Sequence, residues 1–261
     1  MLKKRLMFAL LWDQGQFCLS RNFRLQKVGD LTWLTEKYNF AAVANSIDEL
    51  VLVDVSRSER QSQHFVETVT ALAAAFHMPL SVGGGVNSIH VVDSLLRAGA
   101  DKVLLNSAFH GDVGELTLMR ETYGKQCLVG SVDVRSNAGT YSVFAENGSR
   151  SEGDLRHHVE TRVAPFVGEI VINSIDRDGT GQGLDFGTLA GVPTSCESQI
   201  VLMGGVGTPG HIVQALRDPR VDAVVTANLL NFIGSGLYEA RQACGEAGID
   251  LPRRVSADSI E

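Results

Sequence analysis

Eight short apolar runs, separated by longer amphipathic stretches, limit how this chain can fold more than any other feature. The runs cover 6–11, 50–53, 80–82, 103–105, 127–132, 170–172, 200–203 and 223–225. Their unbroken apolarity suits strands buried on both faces, as in a parallel sheet. Helical periodicity fills the intervals and predicts helices over 31–44, 62–76, 88–97, 113–123, 154–166, 208–217 and 235–245. Strands alternating with helices in this number point to a closed (β/α)8 barrel, a fold of about 250 residues. An open doubly wound sheet is the alternative.

An internal repeat bears on that choice. Glu49-Leu-Val-Leu resembles Glu169-Ile-Val-Ile at an offset of 120, and Gly84-Gly85-Val86 resembles Gly204-Gly205-Val206 at the same offset. Asp101-Lys-Val resembles Asp222-Ala-Val at an offset of 121. Duplication of a four-strand half accounts for these matches, and an open sheet does not. The expected architecture is therefore α/β: a single (β/α)8 TIM barrel of two similar half-barrels over 1–250, followed by a polar tail over 251–261.

A net charge of −7 argues against nucleic acid, whose phosphates demand clustered Lys and Arg. Small phosphorylated ligands remain open, because glycine turns and helix N-termini bind them without net positive charge. Cys18, Cys127, Cys196 and Cys244 are scattered, so a reduced, cytoplasmic protein without zinc or disulfides is expected. Lys3, Lys4 and Arg5 precede an apolar run that could pass for a signal peptide. The run is short, meets Asp13 and lacks a small-residue cleavage site, so it reads as a buried first strand. No stretch reaches the ~18 apolar residues of a membrane span, and a soluble chain is expected.

In barrels, the C-terminal ends of the strands carry function. Val82-Gly83-Gly84-Gly85 and Gly204-Gly205-Val206-Gly207 each follow an apolar strand there. Either glycine turn can cradle a phosphate or simply close a tight turn; two at matched positions favour phosphate. Asp133 ends the fifth strand and points into the expected mouth, as a general acid or base or as a partner for Arg135. Asp54 and Asp178 are similar candidates, equally open to turn chemistry. Alternation over 136–150, with Asn147-Gly148, predicts a hairpin above the mouth. At the other end, Arg5, Glu49, Lys102 and Glu169 each stand just before an apolar run. They are either four solvated strand-start charges or a charged ring about the barrel axis. The seven histidines, dispersed from His64 to His211, read as surface helix positions, and neither metal nor cofactor is expected.

Together these residues resemble a known family. Met1-Leu-x-Lys-Arg5, Asp48-Glu49, Val82-Gly-Gly-Gly85, Gly99-Ala-Asp-Lys102, Asn106, Ile175-Asp-Arg-Asp-Gly-Thr180 and Gly204-Gly205 match the cyclase subunit of imidazole glycerol phosphate synthase (HisF) over nearly the whole chain. The resemblance implies a glutaminase partner docked at the barrel bottom, with Asp101 at the interface. It also implies ammonia passing a charged gate formed by Arg5, Glu49, Lys102 and Glu169. It places phosphate contacts at Gly84, Gly85, Asn106, Gly204 and Gly205. Of the family's two catalytic aspartates, Asp133 matches the second, and Leu11 stands at the first. Leu19 replaces a substrate-gripping lysine, while Met203 and Asn228 replace hydroxyl residues of the second phosphate site.

An intact lower gate with an altered upper site resembles a branch of the family that accompanies a sugar amidotransferase. That branch forms acetamidino groups on surface polysaccharide sugars, and Leu10-Leu11 and Lys27-Val-Gly29-Asp30 look like it. Relay of ammonia to a sugar-modifying synthetase is then the first reading. The alternative is an authentic cyclase of histidine biosynthesis, with Asp13 or Asp178 serving beside Asp133; Asp13 would need a bulge to redirect it. A phosphoribosyl isomerase ranks last, having no use for the four-charge gate.

Overall fold

In the computed structural model the apolar runs become eight parallel strands that close on themselves. The structure describes residues 3–37, 40–60, 62–227 and 235–252, with 40–42 described by their backbone alone. The ring runs β1 (Arg5–Asp13), β4 (Glu49–Asp54), β5 (Leu80–Gly83), β6 (Lys102–Leu105), β7 (Leu128–Asn137), β10 (Glu169–Ser174), β11 (Gln199–Met203) and β12 (Ala223–Thr226). Parallel pairing of β12 with β1 and of β7 with β10 shuts it, which excludes the open sheet.

Alternation sorts the strand residues into two cores. Met7, Ala9, Val51, Val129, Val171, Val201, Ala223 and Val225 turn inward and fill the barrel. Leu6, Phe8, Leu10 and Trp12 turn outward, beneath the helices. That double burial is why each run reads as continuously apolar. The inward set is small, so the barrel axis is narrow and hydrocarbon-lined.

Helices at Ser62–Ala75, Ile89–Arg97, Val113–Tyr123, Pro209–Arg217 and Gly236–Glu246 match the expected intervals within a residue or two. Two expectations are corrected. The helix predicted over 31–44 is two helices, Leu31–Lys37 and Phe40–Ser46. The one predicted over 154–166 is a single α-turn, Leu155–His158, followed by a π-turn at Val159–Val163. The tail beyond 252 lies outside the described residues.

The halves correspond in detail. The first strand of each half carries an antiparallel two-strand extension: β2 (Gln16–Arg21) and β3 (Arg24–Gly29) on β1, and β8 (Thr140–Ala145) and β9 (Arg150–Asp154) on β7. A carboxylate clasp also recurs on the opposite face. The Asp101 carboxylate accepts from the Leu80 N–H at 2.8 Å and the Asp222 carboxylate from the Ile200 N–H at 2.9 Å. Asp48 does the same for Leu6 at 2.9 Å. The repeated sequence thus encodes a repeated brace between neighbouring strand starts.

Candidate functional site

Period-two alternation along β7 turns Val129, Ser131 and Asp133 inward, so Asp133 arrives at the mouth, above the apolar filling. Asn106, just past β6, donates from Nδ2 to Asp133 Oδ2 at 3.0 Å, and Asn173 on β10 donates from Nδ2 to Asp133 Oδ1 at 3.0 Å. Burial pushes the Asp133 carboxyl up to about 6; the two amide donors pull the other way, and the Asp178 charge adds to the rise. Asn173 Oδ1 is buried without a hydrogen-bond partner. These groups lie in a cavity of about 450 Å3, with Leu11 on its opposite wall.

The other carboxylates are already engaged. Asp54 accepts from the Ser56 N–H at 2.9 Å and pairs with Arg60 at 3.4 Å. Asp178 accepts from the Phe23 N–H at 3.0 Å and from the Ser20 hydroxyl, so the tip of the β2–β3 hairpin is tied across the mouth. Asp13 is not among the described residues lining the cavity; its carboxylate meets Lys27 at 3.3 Å. No register irregularity interrupts β1 and redirects Asp13; the one in this region falls in the β2–β3 pairing, at Phe17/Cys18. Arg135 pairs with Asp176 at 3.5 Å and lies over the Phe144 ring, away from Asp133.

The two glycine turns differ in setting. Gly84 and Gly85 have φ of +113° and +68° and line the cavity beside Asn106. A Cβ on Gly85 would fall 2.4 Å from Arg60 Nε, so that guanidinium lies across the turn. Gly204 and Gly205, at φ +96° and +99°, are packed against the loop after β10, where the Gly183 N–H donates to the Gly205 carbonyl at 2.7 Å. Neither is among the described lining residues, although Met203 is. Asn228 lies outside the described residues.

At the opposite end the four strand-start charges converge. Arg5 reaches Glu49 and Glu169, each at 2.9 Å; Lys102 reaches Glu49 at 2.8 Å and Glu169 at 2.7 Å. Signs alternate around the ring, and each group meets two partners. Gln199 Oε1 accepts from Arg5 Nη2 at 2.8 Å, and the Ser81 hydroxyl donates to Glu49. Burial alone would lift the Glu169 carboxyl, but Arg5 and Lys102 hold it below the usual range. Burial likewise opposes the Arg5 charge, and the two glutamates more than offset it. Asp101 stands beside this ring, exposed, with one carboxylate oxygen in its clasp.

Two histidines correct the expectation of surface positions. His158 is buried, and desolvation, with the neighbouring His110 and Arg162 charges, lowers it to about 4. His110 lines the cavity, as do Arg57, Arg60 and Arg150. Sequence reasoning took His110 for a surface position and passed over the three arginines. The signal was present for two of them: Arg57 and Arg60 lie in the loop that follows Asp54 at a functional strand end. Among the described residues, no group of His, Cys, Asp and Glu is arranged to hold a metal ion. No described helix is long and apolar enough to cross a membrane.

Comparison with known proteins bears on this arrangement. A family model described as histidine biosynthesis protein matches residues 22–234. A Parasynechococcus marenigrum protein, provisionally named imidazole glycerol phosphate synthase subunit hisF2, is 38% identical over 97% of this chain and 95% of its own. The chain belongs to the HisF family. Imidazole glycerol phosphate synthase subunit HisF of Hyphomonas neptunium is 34% identical, over 95% of this chain and 98% of that one. The HisF subunit of an Exiguobacterium species is 32% identical over the full length of both. Within this HisF-type barrel the lower ring is complete, whereas the mouth holds one of two expected aspartates, with Leu11 facing it.

Proposed function

We propose that this chain is the ammonia-receiving barrel of a two-part glutamine amidotransferase, with a HisH-like glutaminase docked at its lower face around Asp101. The observation that carries the reading is the closed, charge-neutral ring of Arg5, Glu49, Lys102 and Glu169 beneath a narrow apolar axis. Ammonium is disfavoured in such an interior because a bare cation loses several kcal/mol or more of hydration. Neutral ammonia is small and loses little. The ring is placed to admit one and refuse the other. At the mouth, the unpartnered Asn173 Oδ1 is an acceptor that an incoming N–H satisfies. We assign the final step to amidation of a surface polysaccharide sugar by a separate synthetase, because Leu11 leaves the mouth without its first acid. In the reconstituted complex, Lys102→Ala should uncouple glutamine hydrolysis from product formation. Unchanged coupling would remove the gate from this account.

A second reading has its own support. Asp133, raised toward neutrality and gripped by two asparagines, is suited to proton transfer, which favours a working cyclase of histidine biosynthesis. Ammonia-dependent turnover of the histidine-pathway cyclase substrate by the purified chain separates the two. Turnover establishes the cyclase; its absence leaves the relay.

A further inference from the structure

The side chain nearest to supplying a second proton-transfer group at the mouth comes from an element that the aspartate pattern does not include. His110 closes the 3-10 turn Ser107–His110, which begins directly after Asn106, the residue whose amide holds Asp133. Its ring is largely buried and contributes to the cavity wall. Nδ1 is buried and makes no hydrogen bond, and the nearest carboxylate oxygen, Glu152 Oε2, faces it at 3.4 Å. Glu152 stands on β9 and is ion-paired with Arg150, which fixes the carboxylate behind the ring. The His158 ring lies beside it, tilted by 33° with the centroids 5.4 Å apart. Arg162, from the π-turn, hydrogen-bonds the Phe109 carbonyl at 2.9 Å and closes the charged surroundings.

We propose that His110 is a second proton-transfer residue of this cavity, with Glu152 as its positioning residue. A slight approach of Glu152 makes Nδ1–H its donor, and that tautomer leaves Nε2 unprotonated and free to act as a base. The proposal rests on the second reading above, the working cyclase, in which ammonia emerges into the mouth and adds there to a ligand carbonyl. In that step the ammonia lone pair forms the C–N bond and the carbonyl π pair moves to oxygen. Nε2 of His110 takes one proton from the new ammonium centre, and the oxygen receives a proton from the Asp133 carboxylic acid. The product is a carbinolamine. Return of the proton from imidazolium to the Asp133 carboxylate through water resets the pair.

The surroundings suit a base. Desolvation lowers His110 from its ordinary value, and the Glu152 charge partly restores it against Arg150 and Arg162, so the ring is neutral near pH 7. His158 behind it is also neutral there and adds no repelling charge. Asp133, pushed up to about 6, keeps a usable acid fraction.

Two measurements test this. Nitrogen-15 NMR of histidine-labelled chain reports the tautomer without any turnover: His110 should show the Nδ1–H form at pH 7 and lose that preference in Glu152→Gln. An Nε2–H tautomer in the parent, or no change in the variant, overturns the arrangement. The second measurement is the ammonia-dependent reaction with the histidine-pathway substrate, at constant free ammonia. His110→Gln should lower kcat about 100-fold with little change in KM and remove the acid limb of the pH profile. Glu152→Gln should keep that limb but move it to lower pH, a shift that a purely structural role does not produce. An unchanged kcat and profile in His110→Gln, with the parent active, overturns the proposal and leaves the barrel's ammonia-receiving role standing. A parent chain that fails to turn over this substrate overturns the cyclase reading and the catalytic role of His110 together, leaving only the relay.

Discussion

Asp133 shows how little of a residue's chemistry lies in its letter. In water a carboxyl titrates near 4; at the mouth of this barrel desolvation lifts it to about 6. A raised carboxyl stabilises the fold fully only below its unfolded pKa, and that contribution is lost as pH climbs through the folded value. Asp133→Asn should therefore gain on the parent chain as pH rises from about 4 to 6, by up to about 3 kcal/mol, and keep that gain above the window. Paired melting curves at pH 4.5 and 8 check it; equal differences at both would show the carboxyl to be well solvated. His158 has the opposite sign. Its pKa falls to about 4, so its contribution is complete above the unfolded value and fades as pH drops from about 6.5 toward 4. Leu11 illustrates replacement rather than tuning. Leu11→Asp alone should not create cyclase activity, because Leu19 and Met203 also depart from the family pattern. Robust turnover after that single change would show those two positions to be unimportant.

At the level of elements, every barrel strand was legible, because burial on both faces writes an unbroken apolar run. The hairpin after β7 was legible too, through alternation and its Asn-Gly turn. Its counterpart after β1 was missed. There the pattern over 16–29 is mixed, and its tip places Asn22 and Phe23 at φ +49° and +64°, a turn with no glycine to announce it. Tertiary bonds to the β10 loop hold that tip, and no local rule foretells them. Ser20→Ala removes one of those bonds, so amide exchange across β2 and β3 should quicken about tenfold while the barrel strands keep their protection. Unchanged exchange would mean that the Phe23 N–H contact to Asp178 suffices. Of the site, the strand-end aspartate, the glycine turns and the four lower charges were readable from position alone. His110, Glu152 and Arg150 were not. They sit on short turns and excursions, whose placement depends on packing between elements.

For the molecule as a whole, the proposed function divides between its two ends. The lower ring joins four of the eight strands through charges that cancel, so it is a brace as well as a candidate gate. Lys102→Ala leaves two glutamates sharing one arginine and should cost about 2–4 kcal/mol, read as a lower midpoint in urea. Loss of coupling without that loss of stability would separate the gate from the brace. The upper end is built from loops and hairpins, elements that generally tolerate substitution better than the strands beneath them.

Closure of the barrel bears on how the protein behaves in a crowded solution. A closed ring offers no unpaired strand to a neighbour, so the barrel wall cannot recruit a second chain by sheet extension. The two excursions reopen that risk, since β3 and β9 each pair on one side only among the described residues. Arg24 and Lys27 sit on the first, and Arg150, Glu152, Gly153 and Asp154 on the second. The exposed edges therefore carry charge and glycine where an apolar strand would nucleate aggregates. Neutralising β3 or β9 would open a seam along which copies of the chain could stitch together.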